Sequence, residues 1–227
     1  MLSCRGCQLW LSGRGLRVSV TAMFSRTLAL IALLAAFALA GCVTPSTDPQ
    51  RLPAGAWELD ADHASVVWSV RHMGLSWYTG RFDTLEASLD FDPARPEDAQ
   101  LTAIIETASL STGDADFDRD LSQDWLHAAE VPQIVFTSRA IEVIDATHGR
   151  ATGRLSLNGR EADAEMLIEF YGGGFNVLEG RNAIAFAGDM EIDRTVFGVG
   201  SLPASIVGDT VRIHIEAEFL RQGDTHD

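Results

Sequence analysis

Nine residues near the C-terminus leave this chain little choice of fold. From Val211 to Phe219 apolar and polar side chains alternate without a break, with Val211, Ile213, Ile215, Ala217 and Phe219 on one face and Arg212, His214, Glu216 and Glu218 on the other. A period of two over that length is a strand with one dry side and one wet side. Upstream, Ile184, Phe186, Gly188, Met190 and Ile192 alternate in the same way with Ala183, Ala185, Ala187, Asp189 and Glu191. Asp193 to Gly200 lies between the two runs and reads as a corner, with an ion pair Asp193-Arg194, the aromatic Phe197 and two glycines. Two long strands with single apolar faces need a closed or sandwiched partner surface, and the enclosed face is where function is expected.

The rest of the chain supplies that surface. Ser65 to Met73 alternates, with Val66, Trp68, Val70 and His72 against Val67, Ser69, Arg71 and Met73; both sets carry apolar residues, so the inward face stays open. Tyr78 to Phe91 is a strand region anchored by Phe82, Leu85, Leu89 and Phe91, closed by Asp92-Pro93 and a turn at Arg95 to Asp98, and Leu101 to Ala108 is the next strand. The period then changes. Phe117, Leu121 and Trp125 recur every fourth residue, and Asp114, Asp116, Asp118, Asp120 and Asp124 fill the other sides. This predicts one amphipathic helix over about 112–127, with its acids towards the end where the helix dipole favours them. Strands follow at Ile134–Arg139, Ile141–Asp145, Arg150–Leu157 and Ala162–Tyr171, with a hairpin turn at Asn158-Gly159 and a break at Gly172-Gly173-Gly174. Eight or nine strands and one helix fit an all-β, eight-stranded antiparallel barrel over residues 56–221, whose interior holds side chains or one slender ligand.

The first 41 residues read as a separate signal region. Met23-Phe24-Ser25-Arg26 is a short basic start, and Leu28 to Ala40 is an unbroken apolar run, too short to span a bilayer as a helix. Leu39-Ala40-Gly41-Cys42 resembles a bacterial lipobox, which implies cleavage before Cys42 and lipid attachment to it. Residues 1–22 precede a complete signal at 23–41 and read as an over-called start; their Cys4 and Cys7 have no second pair to make a metal or redox site. After cleavage Cys42 is the only cysteine, so no internal disulfide forms. The loss of four of the 17 basic residues and none of the 32 acids takes the formal charge from −15 to −19. That surface excludes nucleic acid as a partner. Residues 42–55 read as a tether and 222–227 as a tail.

Catalytic motifs are absent: there is no H-E-x-x-H, phosphate loop, dinucleotide fingerprint or G-x-S-x-G. His63 and His72 are an odd interval apart and face opposite ways along a straight strand, so no metal site is assigned. His214 falls on a polar face, and His127 ends the helix and complements its dipole. Arg194 has two readings, a clasp that holds the corner or a group at the mouth of the barrel that meets a ligand oxygen.

Nine motifs in order resemble the YceI-like, polyisoprenoid-binding family of lipocalin-type proteins. They are Trp57-x-Leu59-Asp60-x-x-His63, Val70-x-His72-Met73-Gly74, Gly80-x-Phe82 with Leu89-x-Phe91-Asp92-Pro93, Thr112-Gly113, Asp120-Leu121-x-x-Asp124-Trp125-Leu126, Pro132-x-Ile134-x-Phe136-x-Ser138, Gly153-x-Leu155-x-Leu157-x-Gly159, Asp193-Arg194-x-x-Phe197-Gly198-Val199-Gly200, and Val207-Gly208-Asp209-x-Val211. The resemblance implies an extended eight-stranded lipocalin-like barrel, covered by the helix, with a tunnel for an isoprenoid chain. Relatives often carry a His in the hairpin after Leu157; Asn158 stands here, so that contact does not carry over. The residues expected against the ligand are Trp68, Val70, His72, Phe82, Leu89, Phe91, Phe117, Leu121, Trp125, Phe136, Leu155, Phe186, Arg194, Phe197, Val211 and Ile213. The expected function is a periplasmic carrier of a polyisoprenoid or similar amphiphile such as an isoprenoid quinone, with no catalytic residues, no metal and no cofactor beyond that lipid. It is expected to be lipid-anchored through Cys42, and Val43 after it leans towards the outer membrane. A homodimer is left open. The alternatives are an enzyme acting on a lipid precursor through Asp193 or His72, and an envelope or stress lipoprotein with a solid core.

Overall fold

The structure, a computed structural model, describes residues 45–223. The signal region, Cys42 and residues 224–227 lie outside the described residues. Ten strands pair antiparallel: β1 (Gly55–His72), β2 (Ser76–Phe82), β3 (Leu85–Phe91), β4 (Gln100–Glu106), β5 (Leu110–Ser111), β6 (Gln133–Val143), β7 (His148–Leu157), β8 (Arg160–Asn176), β9 (Arg181–Asp193) and β10 (Val207–Arg221). They form eight staves. The start of β1 pairs with β3 and its end with β2, so β2 and β3 are two halves of one stave. β4 and β5 are likewise halves of the next, paired with β3 and β2. β6 to β10 follow in order, and β10 returns to β1 to close an eight-stranded barrel.

The staves break together. β1 shifts register between Asp60 and Ala64, opposite the interruptions at Asp83-Thr84 and at Thr107–Ser109. Ser109 stitches the break: its carbonyl accepts from Asp83 N (3.0 Å), its hydroxyl accepts from Thr84 N (3.0 Å), and that hydroxyl donates to Glu106 O (2.7 Å). The backbone donors of Asp83 and Thr84 are thus satisfied at the bend, as a kink in a paired sheet requires.

Three expectations about elements are corrected. Ile134–Arg139 and Ile141–Asp145 are one strand, β6, with a bulge between Ser138 and Ala140. Gly172-Gly173-Gly174 does not break β8, which runs on to Asn176 past a bulge at Tyr171. Glycine stands at 173 because of close approach, since a Cβ there would crowd Ile184, the Ala183 carbonyl and Leu52. The helix is 11 residues long, shorter than 112–127: α1 (Ala115–Asp120) runs into a wider π-turn at Leu121–Trp125. Its start is fixed by Asp114, whose carboxylate accepts from Asp116 N and Phe117 N. Past its end His127 takes φ 50°, and its Nδ1 meets Asn158 Oδ1 (2.7 Å).

The described part of the expected tether is a strap. Ser46 and Gly173 exchange backbone hydrogen bonds of 2.8 and 3.0 Å. Asp48 caps the short turn Pro49–Arg51, and Leu52 is buried with Trp57, Phe170 and Ile184. This fills the lower end of the barrel, where the β6–β7 and β8–β9 turns lie. The upper end carries the β1–β2 turn, the Asn158-Gly159 hairpin, α1 and the β9–β10 loop. Asn158 and Gly159 both take positive φ (53° and 72°), as the sharp hairpin requires.

Arg194 holds the upper loop as a clasp. Only 3 % exposed, it donates to the carbonyls of Gly208, Val199, Gly200, Leu202 and Val207 and to Asp209 Oδ1 at 2.7–3.4 Å. The expected Asp193-Arg194 ion pair is not made. Arg194 pairs with Asp209, and Asp193 instead accepts from Thr195 N and Oγ1. Removing a buried group with that many partners leaves several carbonyls unsatisfied at once. Arg194→Ala is therefore expected to cost about 3 kcal/mol or more in urea unfolding, and Arg194→Lys, lacking the planar fork, to recover less than half of the loss.

Candidate functional site: an apolar chamber

The inward faces enclose a cavity of about 570 Å³ running along the barrel, within the range of small-molecule sites. Its wall is almost wholly hydrocarbon. At mid-height it is lined by Val66, Phe82, Ala103, Phe136, Leu155, Met166, Met190, Ile213 and Ile215. Alternation explains this directly: β10 contributes Val211, Ile213, Ile215, Ala217 and Phe219, the apolar set read from its sequence. For β1 the inward set is Val66, Trp68, Val70 and His72, a choice made by pairing with β2 and β10.

Aromatic groups close both ends. Below, Phe186 sits among Phe91, Phe170 and Phe219 with ring centroids 5.2–6.3 Å apart. Above, Tyr78 stands between Trp68 (6.2 Å) and Phe117 (5.6 Å, edge-on). Leu121, Trp125 and Leu126 bring the lid helix onto the chamber. Thr112 ties its entry by donating from N and Oγ1 to Asp118 Oδ1, both at 2.6 Å. Gly200 passes so close that a Cβ would overlap the Trp125 indole. Asn158 latches the far side, where its Nδ2 donates to the carbonyls of Phe197 and Gly198 (3.1 and 3.2 Å). Asn158 is thus occupied in tying the hairpin to the corner loop.

All the expected ligand residues line the chamber except Phe197, which is 3 % exposed and packs in the core behind the wall. Arg194 reaches the lining, but its donors are taken by the clasp. The sequence reading misses Tyr78, and it misses the lower rim, Asp145, Thr147 and His148, because those residues sit in a turn with no period to place them. The polar side chains of the wall lie at its ends: Arg71, His72, Tyr78 and Arg194 above, Asp145, Thr147 and His148 below. No acid–base pair stands in the middle.

The outer histidines are engaged elsewhere. His214 lies between Asp189 (2.8 Å) and Glu216 (3.1 Å). His63 meets Asp60 (2.8 Å) at the β1 bulge, with Glu218 beside it. Among the described residues Asp60, His63 and Glu218 are the one group with metal-ligand spacing. They lie outside the chamber lining, and the hydrogen bond that His63 donates to the Asp60 carboxylate is the first cause of the raised His63 pKa.

At the lower rim Asp145 accepts from the backbone N–H of Thr147 and of His148 (both 2.9 Å) and faces His148 Nδ1. The hydrogen bond from Thr147 N, then that from His148, hold its carboxyl down at about 2, and the same pairing raises the His148 imidazole. The carboxylate's share of stability is present above the usual carboxylate range and fades as pH falls towards 2. The imidazole's share is present below the ordinary histidine value and fades as pH rises through the raised one. Asp145→Asn is expected to move the His148 midpoint down to the ordinary histidine range in an NMR titration; an unchanged midpoint contradicts this pairing.

With that geometry in place, comparison with known proteins gives a consistent picture. The model of the YceI-like domain matches residues 57–219. A UPF0312 protein of Azotobacter vinelandii is 30 % identical over 205 residues, covering 88 % of this chain and all of its own length. The crystal structure of Burkholderia cenocepacia BcnA is 25 % identical, with a TM-score of 0.64 over 70 % of this chain and 98 % of that one. A polyisoprenoid binding domain from Saccharophagus degradans shares the fold, at a TM-score of 0.54 and 12 % identity over 74 % of this chain and 99 % of that one.

Proposed function

The chain belongs to the YceI-like family, and we propose that it binds and carries a polyisoprenoid or a similar long amphiphile, such as an isoprenoid quinone, in the chamber. The observation that carries this reading is the continuous hydrocarbon wall with polar side chains only at its ends. Such a wall suits a long apolar chain with a small polar head. The Saccharophagus degradans neighbour of the same fold, described as polyisoprenoid-binding, supports the class of ligand. Magnitudes agree. Burial of hydrocarbon yields about 0.8 kcal/mol per CH₂, so a five-carbon unit contributes roughly 3–4 kcal/mol gross. A few units offset the roughly 4–15 kcal/mol that association costs.

A carrier reading is preferred to an enzyme because two of the candidate polar groups, Asp193 and Arg194, are committed to the upper loop, which leaves His72 at the upper end of the chamber. Asp193 holds Thr195, and Arg194 holds five carbonyls and Asp209. The proposal places the protein in the periplasm, anchored by acyl chains on Cys42, with Val43 favouring the outer membrane. More than one acyl chain makes such an anchor stable.

Mass spectrometry of an organic extract from a Cys42→Ser form purified without detergent tests the reading. One polyprenyl species per chain is expected, and Ala103→Trp, which fills the chamber from β4, is expected to lower it at least tenfold with the fold retained. An empty extract from a folded protein that takes up no quinone contradicts the carrier reading and favours a structural role.

A further inference from the structure

The lower end of the barrel carries an exposed apolar tip. At the end of β8 Phe175 is 44 % exposed, and in the turn that follows Val177 is 66 % and Leu178 90 % exposed. Glu179 is the one charged residue from 175 to 180. The turn is closed on itself: Asn176 Oδ1 accepts from Leu178 N (3.0 Å) and Glu179 N (3.3 Å), and Asn176 O accepts from Gly180 N (2.8 Å). Such a turn can enter a lipid interface without stranding those backbone donors, the condition a non-aqueous setting imposes.

The strap fixes which end of the barrel the anchor can reach. Pro45 and Ser46 lie against Gly172, and Ser46 pairs antiparallel with Gly173. Because β8 runs from Gly173 down to the tip, the antiparallel strap read backwards from Ser46 heads towards that same tip. Cys42 is three residues before Pro45, a reach of about 11 Å at most. The other apolar tip, Met73, Leu75 and Trp77, is at the opposite end of β1, a strand of 18 residues and so roughly 55 Å long. Its Trp77 is covered by the guanidinium groups of Arg71 (5.0 Å) and Arg212 (4.4 Å).

We propose that the β8–β9 tip, through Phe175, Val177 and Leu178, is a membrane-docking element that seats the lower end of the barrel on the bilayer holding Cys42. The inference rests on the lipid-anchor part of the proposed function. It gives the lower rim, with Val143, Thr147 and His148 in the chamber wall, the position nearest the lipid from which cargo would come. The tip and the acyl chains act as two separate attachments, and two weak signals hold a protein on a membrane where one does not.

Protein purified from membranes as the cell processes it, reconstituted in vesicles of phosphatidylethanolamine and phosphatidylglycerol doped with a diazirine phospholipid, provides the test. After irradiation, adducts are mapped on peptides, and the mass of the Cys42 peptide reports acylation independently. Adducts concentrated on 175–178, lowered at least tenfold by Leu178→Asp, are the expected result. Leu178 is so exposed that this change leaves the fold intact. Adducts on Met73–Trp77, or none on the barrel, overturn the proposal. If Cys42 is acylated and the tip unlabelled, docking fails and the anchor stands; if Cys42 is bare and the tip labelled, the anchor fails and docking stands; if both are negative, both fail.

Discussion

Pairing between β1 and β10 runs from Trp57–Arg221 to His72–Val207 and turns an open sheet into a ring. An open sheet of this length leaves two edges and one apolar face exposed, whereas closure removes both edges and encloses the face. Everything inside depends on that seam. It brings Val66, Trp68 and Val70 of β1 beside Ile215, Ile213 and Val211 of β10, so the two strands with the clearest alternation form one continuous wall. The Asp60–His63 contact sits where the seam shifts register.

Closure alone gives a barrel, and a hollow one needs its ends managed. Below, the strap buries Leu52 against Trp57, and four phenylalanines pack above them. Above, Arg194 gathers carbonyls from a loop that has no ladder to satisfy them, and Asn158 ties the hairpin to that loop and to the end of the lid helix. Polar chemistry is thus concentrated in the framework of the two ends, which leaves the interior to hydrocarbon. A site of this kind selects for length and shape of an apolar chain more than for its head group.

Much of this is legible in sequence, for local reasons. Alternation in β9 and β10 names the wall because every second residue of a paired strand must face the same way. Phe117, Leu121 and Trp125 name the lid because their spacing suits a helix. Longer-range features are hidden. The inward face of β1 is ambiguous while Val67 and Met73 compete with Val66 and Val70, and pairing decides it. Gly172-Gly173-Gly174 has the composition of a breaker, yet Gly172 and Gly173 make room for a strap about 120 residues upstream. Phe197 has the look of a wall residue because a corner aromatic carries no sign of which side it packs on. The contacts of Arg194 come from a loop folding around it, which no spacing encodes.

The central claim is that the chamber is hollow and sized for a chain. The most direct measurement is the melting temperature of delipidated protein against a series of isoprenoid quinones that differ only in the number of five-carbon units. The account predicts a rise that grows with each added unit until the chamber is full and then levels off, because each buried CH₂ adds binding free energy and ligand binding stabilises the folded state. A melting temperature that ignores the quinones, or rises equally for all of them, would contradict it.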